Sequence, residues 1–356
     1  MRRLVRRLHR WFRRRGGGPA ILMYHRIATP DVDPWGLSVS PERFAEQVQA
    51  LRVRRSVLSM HAFVARLRSR TLPHDAVALT FDDGYSDNLR RAKPILEAAG
   101  VPATVFITTG RIGADKEFWW DELARMVLPR AEPLFGDVIV NANDLQIDLP
   151  PIDRAAEPRV NWRAWDRPVT AREATYKTLW RALQSCTPDG REAAMVRLRR
   201  LFGASHPNPE DLPMCAADIR RLVSNHISLG AHGCTHQLLT SLAPAARMEE
   251  IQRSRVEAEA LSGLPVTGFT YPHGDRDTET IDMVRRAGYR WACSTSEAII
   301  NLRSHYQPVV RQSARSATAR RGCLAGKYAA RQVGHRQRMT MPPKSLPRRR
   351  LVVSLK

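Results

Sequence analysis

Short runs of β-branched and aromatic residues recur along this chain, each closed by a polar or glycine-bearing turn and followed by a longer stretch of helical period. Parallel strands need such crossovers, so the alternation predicts βα units around a parallel sheet or barrel. The first strand is expected over Ala20–Ile27. Ser40 and Pro41 then read as a helix cap and first turn, with Phe44, Val48 and Leu51 at helical spacing behind them. A second run, Ala76–Phe81, ends at Asp82-Asp83-Gly84, and a helix near Asn88–Ala99 stops at Gly100. Val101–Thr108 is the next expected strand. Further on, His226–Ala231, Val266–Tyr271 and Tyr289–Ser294 read as strands and Pro244–Leu261 and Thr278–Ala287 as helices.

Regularity fades between about 117 and 215, where five of the eight tryptophans fall (119, 120, 162, 165 and 180). Two helices are expected there, near 170–185 and 190–202, inside an insertion at about 125–215 in a barrel spanning 19–310. Within 356 residues, 43% apolar content suffices for a sizeable core. The formal charge of +22 suggests nucleic acid until it is located. Residues 1–15 hold eight Arg and 311–356 hold thirteen Lys or Arg without an acid, while the body between them is almost neutral. The tail 311–356 reads as disordered, and nucleic acid is not the expected partner. In the arm 1–18, Leu4, Val5, Leu8, Trp11 and Phe12 share one helical stripe. That pattern fits an interfacial helix on anionic lipid as well as a solvated basic arm. Five widely spaced cysteines without a CxxC signal neither a disulfide framework nor a structural zinc site, which suits a reducing compartment. With no apolar run of membrane-spanning length, the expected location is cytoplasmic, peripheral at the inner membrane face.

Three strand ends carry the chemistry. Asp82 and Asp83 are adjacent carboxylates that are costly to ionise together unless a cation is near; alone, they would as well be helix-capping loop residues. His232 and His236 stand four apart after a strand, where one turn of helix would bring both imidazoles to one side, a common way to present nitrogens to Zn²⁺. Two His and one Asp at strand ends make an open three-ligand site. Tyr271-Pro272-His273-Gly274 sets a tight turn that could aim a backbone N–H at a developing oxyanion, or be an ordinary strand exit.

Thr80-Phe81-Asp82-Asp83-Gly84, His232-Gly233-Cys234-Thr235-His236 and Tyr271-Pro272-His273-Gly274, in that order, resemble the first three motifs of the polysaccharide deacetylases of carbohydrate esterase family four. Leu22-Met23-Tyr24-His25-Arg26, Pro102-Ala103-Thr104-Val105-Phe106 and Phe118-Trp119-Trp120-Asp121-Glu122-Leu123 are similar to a bacterial branch of it. The resemblance implies an α/β fold, a distorted (β/α) barrel of about seven strands, here incomplete at its C-terminal end. It also implies a divalent-metal-dependent hydrolase, with zinc the expected ion, that removes N-acetyl groups from the sugars of a polysaccharide, glycolipid or oligosaccharide precursor. By the same resemblance Asp83, His232 and His236 hold the metal, Asp82 is the general base, and the His273 N–H helps stabilise the oxyanion. Two departures bear on activity. Thr270 stands where many members have an Arg that tunes the base, and no Leu-x-His motif follows Cys293 to supply a general acid, leaving His25 or the His273 side chain as substitutes and His305 in a polar context. The rival expectation is a catalytically degraded barrel that binds carbohydrate or nucleic acid through its basic ends. Amide and ester hydrolysis stay open, and Trp119, Trp120, Trp162 and Trp165 are either sugar-stacking or core residues.

Overall fold

A computed structural model describes residues 18–129, 162–203, 207 and 209–295, together with the backbone pairing of 309–310 and 312–313. Residues 1–17 of the basic arm, His305, Cys323, residues 130–161 of the expected insertion and the tail apart from 312–313 lie outside the described residues; 312 and 313, expected to be disordered with the rest of the tail, pair with β1 instead. Nine strands form one parallel sheet: β1 (Ala20–Tyr24), β2 (Ser56–Val57), β3 (Ala76–Phe81), β4 (Ala103–Ile107), β5 (Ile227–Ala231), β6 (Gly268–Thr270), β7 (Trp291–Ser294), β8 (Val309–Val310) and β9 (Gln312–Ser313). Their order is β8-β7-β6-β5-β4-β3-β1-β9, with β2 beside β3. The sheet curls into an incomplete barrel. Its two edges are taken up by one stretch of chain, since Cys293 and Ser294 pair with 309 and 310 while Leu22 and Met23 pair with 312 and 313. Two-residue ladders are too short to leave a period in the sequence, which is why a closing strand was not expected there.

β1 and β3 are buried at every position, as near-continuous apolar runs are when a parallel sheet is covered on both faces. One set of side chains, including Leu22, Leu79 and Val105, packs with Phe44, Val48 and Leu51 of α1 (Pro41–Arg54). The alternate set, Ile21, Ala78, Phe106 and Trp291, joins Met60, Phe63 and Val64 of α2 (Met60–Arg68). Gly230 and Gly268 make room for two large rings: a Cβ on them would lie 2.2 Å from Phe106 and 2.3 Å from Trp291. The expected caps form, with Ser40 accepting from the Arg43 N–H and Gly100 ending α3 (Lys93–Ala99) at φ 62°.

Several elements depart from expectation. The helix expected over 88–99 divides into a π-helical turn, Asn88–Ala92, and α3, because Pro94 has no N–H for the carbonyl one turn back. The first strand stops at Tyr24 because Arg26 and Ala28 turn away to pair with the backbone of Leu37 and Val39. Three helices went unanticipated: α2, α4 (Trp119–Val127) and α7 (Ala216–Leu222). α5 (Ala171–Ser185) and α6 (Pro188–Phe202) are where helices were expected; α5 opens with a Thr170/Glu173 capping box. With α4 they enclose a separate apolar cluster around Leu123, Tyr176, Leu183, Leu198 and Phe202. The longest helix, α8 (Pro244–Ser262), packs on β5, and α9 (Thr278–Arg286) precedes β7. No helix among the described residues is long and apolar enough to cross a membrane, and Cys186, Cys215, Cys234 and Cys293 are free thiols.

Candidate metal centre and its surroundings

β3 delivers its two carboxylates through the ladder itself. The Asp82 N–H donates to the Tyr24 carbonyl of β1 at 3.0 Å, and the Asp83 carbonyl accepts the Thr108 N–H just past β4 at 3.1 Å. Both residues are 2% exposed. Asp83 adopts φ 75° and Gly84 φ 90°, the left-handed backbone of a sharp exit. For an aspartate that conformation is uncommon and costs roughly 1 kcal/mol or more.

The two histidines are not on a helix. His232 leaves β5 with its N–H on the Ile107 carbonyl, 2.9 Å away, and the chain then loops through Gly233 at φ 74° to His236 at φ 57°. Four-residue spacing is equally satisfied by a tight loop, and here the amides of Cys234 and Thr235 are bound by a side chain rather than by helical carbonyls. Three of the four non-glycine residues with positive φ among the described residues, Asp83, His236 and His273, lie at this one place.

The loops converge. Ligand atoms of Asp83, His232 and His236 all lie within 4.8 Å of one another, and the three residues are buried. His232 Nε2 stands 3.5 Å and His236 Nε2 3.3 Å from Asp83 Oδ1. Donors about 2.0–2.2 Å from a tetrahedral Zn²⁺ would be spaced at roughly these distances. Thr270 lies against His232 Nδ1, its carbonyl at 2.8 Å and its Oγ1 at 2.6 Å. An Nδ1–H donated to that carbonyl leaves the Nε2 lone pair facing Asp83, the tautomer a metal ligand requires. Asp83 Oδ1 is buried without a hydrogen-bond donor, an arrangement that calls for a cation. Burial alone would push the Asp83 carboxyl up, but His236, with His25 and His232 behind it, holds it below the usual carboxylate range. The residues present therefore fit a divalent ion with open positions.

Around this trio stand the other residues singled out in the sequence. His25, half-buried, bears electrostatically on Asp83, and Asn88 donates to its carbonyl at 2.8 Å. The His273 ring lies 4.5 Å from that of His236, edge to face, and its far side meets Trp180 at 6.2 Å. Trp120 lies 4.7 Å from His236 on one side and stacks on Phe118 at 4.7 Å on the other. Trp162 belongs to the helical core and the Trp119 ring is covered by Arg191 at 5.1 Å. Of the four tryptophans weighed for sugar stacking, Trp165 is half-exposed, and Trp119 and Trp120 line a cavity that also includes His236.

Sequence reasoning passed over the support behind the carboxylates. Arg26 is buried against Asp87 at 3.1 Å, bonds Asp211, and lies over the Tyr85 ring at 4.8 Å. Tyr85 donates to Asp121 at 2.6 Å and accepts from the Trp120 indole at 2.8 Å. Arg26 and Asp121 entered only through the resemblance, and Trp120 there and as a sugar-stacking or core residue; a charged residue soon after an apolar strand was the available signal for Arg26.

The polysaccharide deacetylase family model matches residues 69–129 and 203–292, leaving out the stretch that holds α5 and α6. The Bacillus subtilis protein YxkH, assigned to the polysaccharide deacetylases, is 28% identical over 108 residues, 30% of this chain and 37% of that protein. The chain thus spans little more than a third of the length of that relative. IcaB from Ammonifex degensii is similar in structure, with TM-score 0.51 and 18% identity over 84% of this chain and 94% of that one. The Streptococcus pyogenes deacetylase PplD gives TM-score 0.49 at 16% identity, over 84% of this chain and 93% of that one. The resemblance carried by three short motifs holds: over residues 69–129 and 203–292 this chain belongs to the polysaccharide deacetylase family.

Proposed function

We propose that the chain is a divalent-metal-dependent hydrolase that removes N-acetyl groups from sugars of a bacterial surface polysaccharide, glycolipid or biosynthetic precursor. The observation that carries this reading is the convergence of Asp83, His232 and His236 around a buried carboxylate oxygen that has no hydrogen-bond donor. These three residues would hold the ion, and their N, N, O donor set with open positions suits zinc. When bound, zinc supplies Lewis acidity toward the acetamide carbonyl and the attacking water. Asp82, on the same turn but outside the ligand trio, is the general base that takes the proton from that water. The turn at His273 and Gly274, with φ of 57° and 75°, supplies the candidate backbone donor for the oxyanion. His25 and the His273 ring both border the centre as candidate acids for the leaving amine.

Acetate release from a panel of N-acetylated oligosaccharides, with O-acetylated counterparts alongside, tests the reading. Release should stop on chelation and return with Zn²⁺. An ion-loaded chain that frees acetate from none of them favours a binding role instead. Comparing His25→Ala with His273→Ala then assigns the acid, because an unchanged pH–rate profile eliminates that residue. The proposal extends to cytoplasmic residence with peripheral membrane contact through residues 1–15. Equal binding to anionic liposomes by a chain lacking them removes that part.

A further inference from the structure

The loop between the two histidines has an unusual anchor. Two of its carbonyls are taken by the barrel: the Thr109 N–H donates to Gly233 O at 3.1 Å and the Gly110 N–H to Cys234 O at 2.9 Å. The opposite edge of the loop faces α8, and there one carboxylate meets it. Glu250 Oε2 accepts the Cys234 N–H at 2.8 Å and the Thr235 N–H at 3.1 Å, while Oε1 accepts the Thr235 hydroxyl at 2.6 Å. One side chain thus satisfies two adjacent backbone donors and a hydroxyl, all within the three residues that separate the imidazoles. Two turns along the same helix, Glu257 accepts the Thr109 hydroxyl at 2.5 Å and ion-pairs with Arg253 at 3.1 Å, so the barrel-side anchor is tied to α8 as well.

We infer that Glu250 is a positioning residue for the metal centre: its carboxylate fixes the backbone of Cys234 and Thr235 and thereby sets the separation and direction of the His232 and His236 imidazoles. The physical argument is one of conformational cost. Gly233 and His236 both have positive φ, and Asp83 opposite them does too. Strained residues of this kind persist only where their surroundings over-determine them. His232 is held independently, by β5 and by Thr270. His236 Nδ1, by contrast, is buried without a hydrogen-bond partner, so its ring is placed by packing against Trp120 and His273 and by the backbone that carries it. Charge-assisted bonds from two N–H groups are strong, and no neutral side chain of similar length offers two acceptor oxygens. Glu250 is not one of the three candidate ligands, and its carboxylate bonds go to the loop between the two imidazoles.

The inference rests on the metal-centre reading, and its test keeps the two apart. Zn²⁺ affinity is measured on the full chain by competition with a chromophoric chelator, for the parent, Glu250→Ala, Glu250→Gln and, as a control on the same helix, Glu249→Ala. Amide exchange of Cys234 and Thr235 is followed in the metal-free proteins. Loss of an outer-sphere support weakens metal binding about 10- to 100-fold, and Glu250→Ala is expected to fall in that range with both amides deprotected. Glu250→Gln keeps one acceptor and should recover part of both; Glu249→Ala should match the parent. Affinity and exchange in Glu250→Ala equal to the parent overturn the clamp while leaving the metal centre intact. A parent that binds no Zn²⁺ but loses amide protection in Glu250→Ala overturns the metal-centre reading and with it the metal-positioning role, leaving Glu250 a structural support.

Discussion

The two halves of the candidate metal centre are held by different means. Asp82 and Asp83 ride on backbone hydrogen bonds continuous with the β1–β3–β4 ladder, so the strands that form the core also aim the carboxylates. His232 and His236 begin at the end of β5 but quickly leave its ladder, and Glu250, fourteen residues further on in a helix, holds the loop between them. A ladder-held residue can be disturbed only by disturbing the fold. The edge of the loop that faces α8 is held by one side chain and can be disturbed there alone, so metal affinity and stability should separate at Glu250 and stay coupled where the barrel backbone holds the loop and the carboxylates.

The sharpest break in the comparison is chemical. Asp83→Ala removes a candidate ligand, and the expected outcome is loss of stoichiometric Zn²⁺ binding with acetate release at background. Asp82→Asn should retain the ion and lower kcat by about 10²- to 10⁴-fold, the usual contribution of general base catalysis. Equal metal loss in both variants would mean that the adjacent carboxylates share the ion instead of dividing the work.

Gly110→Ala probes the histidine loop from its barrel side. A Cβ at Gly110 would lie 2.6 Å from the Cys234 carbonyl oxygen, which is backbone and cannot swing away. Overpacking of this kind costs about 1–3 kcal/mol. Thermal unfolding of the metal-free protein should show that loss, and Zn²⁺ affinity should fall because the displaced strip lies between the two ligands. Thr270→Val should do less: it removes the Oγ1 contact to His232 Nδ1 and keeps the carbonyl, so affinity should drop by under about tenfold. A larger loss would show that the hydroxyl, rather than the carbonyl, fixes the tautomer.

The same contrast explains what the sequence made legible. The strand ending in Asp82-Asp83 could be read because burial on both faces leaves a continuous apolar run, and the run's end marks where the carboxylates emerge. The helix at Pro41–Arg54 was readable from Ser40, Pro41 and its apolar spacing. The histidine pair was visible, but its backbone was misread, because four-residue spacing fits a helical turn and a left-handed loop alike. Glu250 was hidden among Glu249, Glu257 and Glu259 on a helix without a marked apolar face, where nothing local shows which of them meets the histidine loop. α2 was missed although Ser59 caps it, since its nine residues are too short for a strong period. The closing stretch at 309–313 was missed for the same reason, with two paired residues on each side.

The carboxylate side carries one further device, and its effect is the smallest. Asp121 receives the Tyr85 hydroxyl at 2.6 Å directly behind the Asp82-Asp83 turn. Burial pushes its carboxyl up; Arg26 and the Tyr85 hydrogen bond oppose this and Asp211 and Glu117 reinforce it, leaving the group at about 7. A carboxyl raised in the folded state holds its proton where the unfolded chain has lost it. Folding stability therefore declines as pH rises from the ordinary carboxylate range to about 7 and is flat above that. One proton accounts for at most about 1.4 kcal/mol per pH unit. Melting temperatures of the parent and Asp121→Asn, measured with chelator present so that metal binding does not contribute, should diverge with pH: the difference between them changes across pH 4.5–7 and levels off above. Other titrating groups cancel in that difference. A constant gap across the range would show that Asp121 ionises normally behind the turn, and that Tyr85 and Trp120 support the carboxylate side by packing alone.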